Sequence, residues 1–408
     1  MVRLIRRIIR HLKRYYGLFI IFVCYILNVL IFRSRSNKEI WLVSEKRDEA
    51  RDNGYHFFKY LRLKHPNINA YYVITKDSPD YSKLLQLGNI IIANSFRHIL
   101  YYLNAEYSIS SQAYGAFPFD LTLKDIERIR KLCNNKQKTI FLQHGIIKDE
   151  LSHEAFDYEK CNIDYFVCSA PREYKFIKEK YHYPDSAIGC IGLARYDYLL
   201  TSHILRDTVL VMPTWRSWIH VVSSNKEPSE EEKNSFLNST FYKEYAKLLS
   251  NSKLISEMKE HNMRVVFYMH YRLQCFSSLM KSFENDTVII ADREHFDVQQ
   301  LLMESKALIT DYSSVFFDFA YMEKPVIHFM FDKDVFESNH YSKGYFEYET
   351  DSFGPICLNS NEVVEKTVNY MRNKFIIEDS YRKRVEDFFL YHDQLNCERT
   401  YLALKGLR

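Results

Sequence analysis

The apolar and polar positions of this chain fall into two regimes. From Tyr15 to Phe32, eighteen residues (YYGLFIIFVCYILNVLIF) carry no charge. Just before them, Leu4, Ile5, Ile8, Ile9 and Leu12 recur at helical spacing among Arg3, Arg6, Arg7, Arg10 and Lys13. That pattern predicts a basic amphipathic helix leading into an apolar one. From residue 39 onward, short β-branched runs alternate with amphipathic stretches. Ile40–Ser44, Ala70–Thr75, Ile90–Ala93, Tyr107–Ser111, Thr139–Gln143 and Tyr165–Ser169 predict strands, with helices such as Tyr55–Lys64 and Arg172–Tyr181 between them. The pattern breaks at Arg195–Asp207 and restarts. Val209–Met212, Val265–Met269, Val288–Ala291, Ala307–Thr310 and Val326–Phe329 predict a second set of strands. Phe241–His261, Gln299–Lys306 and Ser313–Met322 predict helices, and Ser223–Ser235 a solvated loop. Strand–helix alternation implies parallel sheets with helices on both faces.

Composition narrows this picture. A chain of 408 residues has the length of two or more domains at roughly 100–200 residues each. Charge is unevenly placed: nine of the 56 Lys and Arg, and none of the 52 Asp and Glu, fall within residues 1–38. The rest is mildly acidic, so a globally basic nucleic-acid-binding surface is excluded. Eight cysteines stand singly, without the Cys-x-x-Cys spacing of zinc or redox sites, and read as reduced core residues. The domain organisation expected is a membrane anchor over 1–38, an N-terminal domain over 39–206, a C-terminal domain over 207–385 and a terminal helix over 386–408.

The apolar run is short for a spanning helix, which needs ~20 residues. Phe32-Arg33-Ser34-Arg35 makes a poor signal-peptidase site. Both flanks are basic, which conflicts with a simple span under the positive-inside bias. An interfacial anchor on an anionic membrane surface resolves the conflict; a single span is the alternative.

In open α/β sheets, ligands sit where strands end. Gln143-His144-Gly145 ends a predicted strand, and a histidine there can serve as a general base or be hydrogen-bonded in its loop. Met212-Pro-Thr-Trp-Arg216 and Met269-His270-Tyr271-Arg272 end two more, bringing donors suited to phosphate. In Leu308-Ile-Thr-Asp-Tyr-Ser-Ser-Val, a strand ends at Thr310 and a helix starts near Ser313. Thr310, Ser313 and Ser314 can hold a phosphate there, or Asp311 or Ser313 can simply cap the helix. No Walker A or Gly-x-Gly-x-x-Gly sequence is present.

Taken together, QHG (143–145), GLARYD (192–197), PTWR (213–216), HYR (270–272), ITDYSSVFFDFA (309–320), KPVIHF (324–329), KGYFEYE (343–349) and FGP (353–355) resemble the CDP-glycerol:poly(glycerophosphate) glycerophosphotransferase family. The resemblance implies an α/β fold of the GT-B class: two facing Rossmann-like domains, here with an N-terminal membrane-associating helix. It implies transfer of glycerol phosphate or ribitol phosphate from CDP-glycerol or CDP-ribitol to a lipid-linked glycan or polyol-phosphate acceptor, releasing CMP. The setting implied is teichoic-acid-like or capsular polymer synthesis at the cytoplasmic face of the cell membrane. His144 then matches the acceptor-deprotonating base, and His270 a second catalytic position. His270 and Arg272 would grip the donor diphosphate, with Thr310, Asp311, Ser313 and Ser314 beside them and Arg216 in the same cradle. No cofactor or metal is expected, and homo-oligomerisation stays open. The alternatives are a GT-B glycosyltransferase using another nucleotide sugar, or an inactive scaffold of a polysaccharide assembly complex.

Overall fold

A computed structural model describes residues 2–32, 39–132, 137–201, 205–219, 227–339 and 342–407. The chain forms two α/β units. The first comprises Met1–His144, Ser152–Tyr198 and Asp393–Arg408; the second comprises Gly145–Leu151 and Leu199–His392.

In the first unit the strands are β1 (Ile40–Ser44), β2 (Asn69–Ile74), β3 (Ile90–Ile92), β4 (Ala105–Ser110), β5 (Lys138–Phe141), β6 (Tyr165–Cys168) and β7 (Ile188–Cys190). They form one sheet in the order β3-β2-β1-β4-β5-β6-β7, parallel at every pairing. Strands covered on both faces by helices lose the in–out alternation of a half-exposed sheet. That is why β1 (IWLVS) is buried at every position.

In the second unit the strands are β8 (Thr208–Val211), β9 (Arg264–Tyr268), β10 (Val288–Ala291), β11 (Ala307–Thr310), β12 (Val326–Phe329) and β13 (Ile356–Cys357). Their order is β10-β9-β8-β11-β12-β13, again all parallel. Both sheets are doubly wound. The order reverses between β1 and β4 in one and between β8 and β11 in the other, opening a crevice at the strand ends there. Behind the second sheet, the helix Val315–Tyr321 is buried along its length. Its Phe316 and Phe317 pack on Phe346 at ring separations of 5.3 and 5.4 Å.

Several expectations need correction. The helix expected over 241–261 is two, Thr240–Leu249 and Ser252–Glu260, because the Asn251 side chain accepts from the Leu254 amide and starts a new helix. Of the loop expected over 223–235, residues 223–226 lie outside the described residues, and a helix runs over Glu230–Asn238. Ser229 and Glu232 form a reciprocal capping box there, and three glutamates occupy the first turn, where the helix dipole favours them. The units also divide elsewhere than at 207 and 386. Arg206 donates its amide to the Glu304 carbonyl (2.8 Å) and ion-pairs with the Glu304 side chain, tying this segment to the second unit. His392 still bonds Tyr321 of that unit (2.6 Å). From Asp393 the chain returns to the first, where the Asn396 and Cys397 amides bind the Asp197 carboxylate at 2.7 and 2.8 Å. The N-terminal segment is a helix over Val2–Leu27 with a π turn over Asn28–Phe32, and it groups with the first unit.

Candidate functional site

The crevice of the second sheet is built by the segments that follow β8, β9 and β11. After β8 comes Met212–Arg216, after β9 comes Met269–Arg272, and after β11 comes Asp311–Ser314. A buried ion-pair network braces the first and third. Arg216 is wholly buried; it reaches Asp311 at 2.8 Å and Asp332 at 2.7 Å, and donates to the Thr214 carbonyl at 2.6 Å. Rings of Phe241, Tyr312, Phe331 and Phe336 surround its guanidinium at 5.1–5.6 Å. Burial works against its charge, but Asp311 and Asp332 outweigh it and raise its pKa. Asp311 accepts from the Thr214 and Tyr312 amides at 2.8 and 2.7 Å. The Thr310 hydroxyl donates to the Met212 carbonyl at 2.6 Å. Arg216, Thr310 and Asp311, expected on the donor, therefore point into the protein and are spent on holding two loops together.

His270, Arg272, Ser313 and Ser314 are differently placed. Arg272 is exposed, and the other three are half-buried. The His270 Nδ1 accepts from the Arg272 amide at 3.3 Å, which in the neutral ring leaves the proton on Nε2 as a donor. The Arg272 guanidinium lies over the Trp215 indole, 4.1 Å from its centroid; Trp215 also faces the His270 ring at 6.4 Å. Arg272 has no ion-pair partner among the described residues. Ser313 and Ser314 precede the buried helix Val315–Tyr321, and Val315 bonds the Ser313 hydroxyl only at 3.5 Å. This end of the sheet thus carries two cationic or hydrogen-donating groups and two hydroxyls on a base braced by the buried Arg216–Asp311–Asp332 network. Such a set can hold a diphosphate.

His144 belongs to the first unit. It follows β5 and Gln143, which takes a left-handed φ of 61°. That conformation is costly for a side chain of this size and is kept only by its surroundings. The Gln143 side-chain Nε2 donates to the Val167 carbonyl and the Glu173 carboxylate. Asn53, fully buried, donates to the Gln143 carbonyl at 2.9 Å and accepts from the Arg195 amide at 2.9 Å. Arg195 in turn pairs with Asp52 at 2.8 Å. His144 is exposed. Desolvation from the protein around it nonetheless lowers its pKa, as does the Arg195 charge, while Asp52 and a hydrogen bond to the Ser111 backbone oppose them.

Five contributors escape sequence reading: Trp215, Asp332, Asp52, Asn53 and Arg195. Trp215 and Arg195 sit inside motifs already noted, so their position carried a signal; Asp332, Asp52 and Asn53 carried none. Among the described residues, no three His, Cys, Asp or Glu side chains converge as metal ligands would.

Comparison with known proteins adds to this geometry. A family model described as CDP-Glycerol:Poly(glycerophosphate) glycerophosphotransferase matches residues 25–405. The minor teichoic acid biosynthesis protein GgaB of Bacillus subtilis (strain 168) is 34% identical over 383 residues, covering 92% of this chain and 41% of its own. The teichoic acid glycerol-phosphate transferase of Staphylococcus aureus (strain NCTC 8325 / PS 47) is 24% identical over 243 residues, 55% of this chain and 56% of its own. The chain thus spans about half the length of these relatives. A structure of the wall teichoic acid polymerase TagF superposes with a TM-score of 0.67 at 18% identity, covering 100% of this chain and 98% of that one. The likeness shows a shared GT-B-type fold of two parallel-sheet α/β units.

Proposed function

Because the chain belongs to the CDP-glycerol:poly(glycerophosphate) glycerophosphotransferase family and is a transferase, we propose that it moves glycerol phosphate or ribitol phosphate from a CDP-polyol to a hydroxyl of a lipid-linked glycan or polyol-phosphate polymer. The reading places it in teichoic-acid-like polymer synthesis, on the cytoplasmic face of the cell membrane. The observation that most supports it is the set formed by His270, Arg272 on Trp215, and Ser313 and Ser314 at the strand ends of the second sheet.

In this reading the acceptor oxygen attacks the phosphorus that carries the polyol. The bond from that phosphorus to the bridging oxygen breaks, and CMP leaves with the bridging oxygen. The acceptor proton passes to His144, whose pKa desolvation lowers from the ordinary histidine value. His270 and Arg272 neutralise the charge that grows on the departing phosphate, and Ser313 and Ser314 hold its non-bridging oxygens. Phosphoryl transfer depends mainly on such positioning and charge stabilisation.

The test is incubation of the purified protein with CDP-glycerol or CDP-ribitol and a membrane lipid extract. CMP release with either donor and a mass increment of one or more polyol phosphates on a lipid are expected. Turnover of a different nucleotide sugar, with neither CDP-polyol consumed, would discard the reading.

A further inference from the structure

Asp52 stands at the N-cap of the helix Asn53–Lys64, in extended backbone, yet its side chain does not cap the helix in the usual way. An N-cap carboxylate ordinarily accepts from the second or third amide of its helix. Here the second, Gly54, donates to the Ser111 hydroxyl at 2.9 Å, and the third, Tyr55, donates to the Glu45 carboxylate at 2.7 Å. The Asp52 carboxylate accepts instead from the adjoining Asn53 amide at 2.7 Å and from Arg195 at 2.8 Å.

Glu45 comes directly after β1 and is 5% exposed. Besides the Tyr55 amide it accepts the Arg51 amide at 2.7 Å and the Asp52 amide at 2.8 Å. Three amides thus converge on one carboxylate, and among the described residues no cation pairs with it. Burial and the neighbouring Asp52 charge push its pKa up to about 8 against those three bonds. The helix start is closed tightly upon it: a Cβ on Gly54 would lie 2.6 Å from the Ser44 carbonyl oxygen and 3.0 Å from the Glu45 Cγ. A buried carboxylate without a cation is expensive. A cap supplied by Asp52 would serve the helix at less cost.

What this arrangement releases is the Asp52 carboxylate. The charged groups that face His144 are Asp52, Arg195 and Lys46, and of these Asp52 favours the protonated ring. Lys46 itself pairs with Glu49 at 3.2 Å. The same helix start holds the histidine's surroundings, through Asn53 on the Gln143 carbonyl and through Gly54 on Ser111, whose backbone bonds the ring. Extending the reading of His144 as the acceptor's base, on which it rests, we infer that Glu45 is a positioning residue for the transfer: it takes over the cap of this helix so that Asp52 turns to Arg195 and His144. Without Glu45 the Tyr55 amide is left open, and Asp52, at the N-cap, is the group placed to close it.

The test follows the His144 ring of the full chain through a pH titration by NMR, its resonance assigned by loss in His144→Ala, beside the acid limb of kcat for CMP release. Asp52 raises the His144 pKa, so withdrawing it should lower both. Glu45→Ala should move the ring pKa and the limb down by ~0.5 pH unit or more, as Asp52→Asn does, with kcat reduced ~10- to 100-fold and the donor KM unchanged. Added to Asp52→Asn, it should bring no further shift. Glu45→Gln keeps an oxygen for the Tyr55 and Asp52 amides and should titrate as wild type. Glu45→Asp, one methylene short, should titrate as Glu45→Ala and stands in for it if alanine leaves too little folded protein. A ring pKa unmoved in Glu45→Ala would overturn the positioning role. So would an equal shift in Glu45→Gln or a further shift in the Asp52→Asn background, either of which assigns the effect to the charge of Glu45 itself. A ring pKa that shifts while the acid limb stays still would keep Glu45 as the residue that places Asp52 and overturn His144 as the base.

Discussion

The Arg272 guanidinium sits 4.1 Å from the centre of the Trp215 indole, so the last side chain after β9 is carried by one that follows β8. The pairing restrains a long, exposed cation without neutralising it, as a ligand for an anionic substrate must be restrained. An arginine–indole contact is worth ~0.5–2 kcal/mol. Trp215→Leu should therefore raise the KM for the CDP-polyol ~2- to 30-fold with little change in stability, and Trp215→Phe should restore part of the loss. Initial rates of CMP release against donor concentration measure it, and an unchanged KM would separate Trp215 from the donor.

Arg216 should behave in the opposite way. Its two carboxylate partners, Asp311 and Asp332, lie at 2.8 and 2.7 Å, and the guanidinium has no exposed surface. Removing it leaves two buried, uncompensated charges, a loss of ~3–5 kcal/mol when one partner of a buried ion pair is deleted. Arg216→Leu should lower the urea midpoint accordingly. Arg216→Lys should rescue little, because an ammonium cannot fork between two carboxylates while donating to Thr214. A stable Arg216→Leu protein defective only in donor binding would return Arg216 to the donor site.

The contrast between these two residues shows what was legible in the sequence. The parallel strands read well because β1 or β12, buried on both faces, leaves an unbroken apolar run. β7 and β13, of three and two residues, are too short for a period to register, and they exist because β6 and β12 offer them an edge. The motifs marked where chemistry gathers, at the strand ends, but not which way each side chain turns. That Arg216 faces inward depends on Asp332, 116 positions away, and on the aromatic walls around it. The return of the chain to the first unit at Asp393 depends likewise on Asp197. Such pairings leave no local trace.

His144 gives a pH signature with a defined sign. Its pKa lies below the ordinary value of about 6.5, so the acid limb of kcat should fall below pH 6.5, with full activity at neutrality. Asp52 raises that pKa. Asp52→Asn should therefore shift the limb to still lower pH while retaining a side-chain oxygen for Arg195. His144→Ala should reduce kcat by ~10²-fold or more and leave donor binding by calorimetry intact. A limb unmoved in Asp52→Asn and a wild-type rate in His144→Ala would remove His144 from proton transfer.

The segment just after His144 supplies the last prediction. Gly145–Leu151 is part of the second unit, where Glu150 donates its amide to the Ser342 carbonyl at 3.0 Å and Tyr345 donates to the Lys148 carbonyl at 3.2 Å. Between those bonds Gly344 lies so close to the same backbone that a Cβ would fall 2.0 Å from the Lys148 oxygen and 2.9 Å from the Asp149 Cα. Neither neighbour is a flexible side chain, so the two segments must part to admit even a methyl group. Overpacking of this kind costs ~1–3 kcal/mol. Gly344→Ala should lower the melting temperature by roughly 2–4 °C for each kcal/mol lost. Because the displaced backbone leads directly from the histidine, kcat should fall more than the donor KM rises. A melt and a kcat both indistinguishable from wild type would mean that the two segments separate freely, and that their pairing places no constraint on His144.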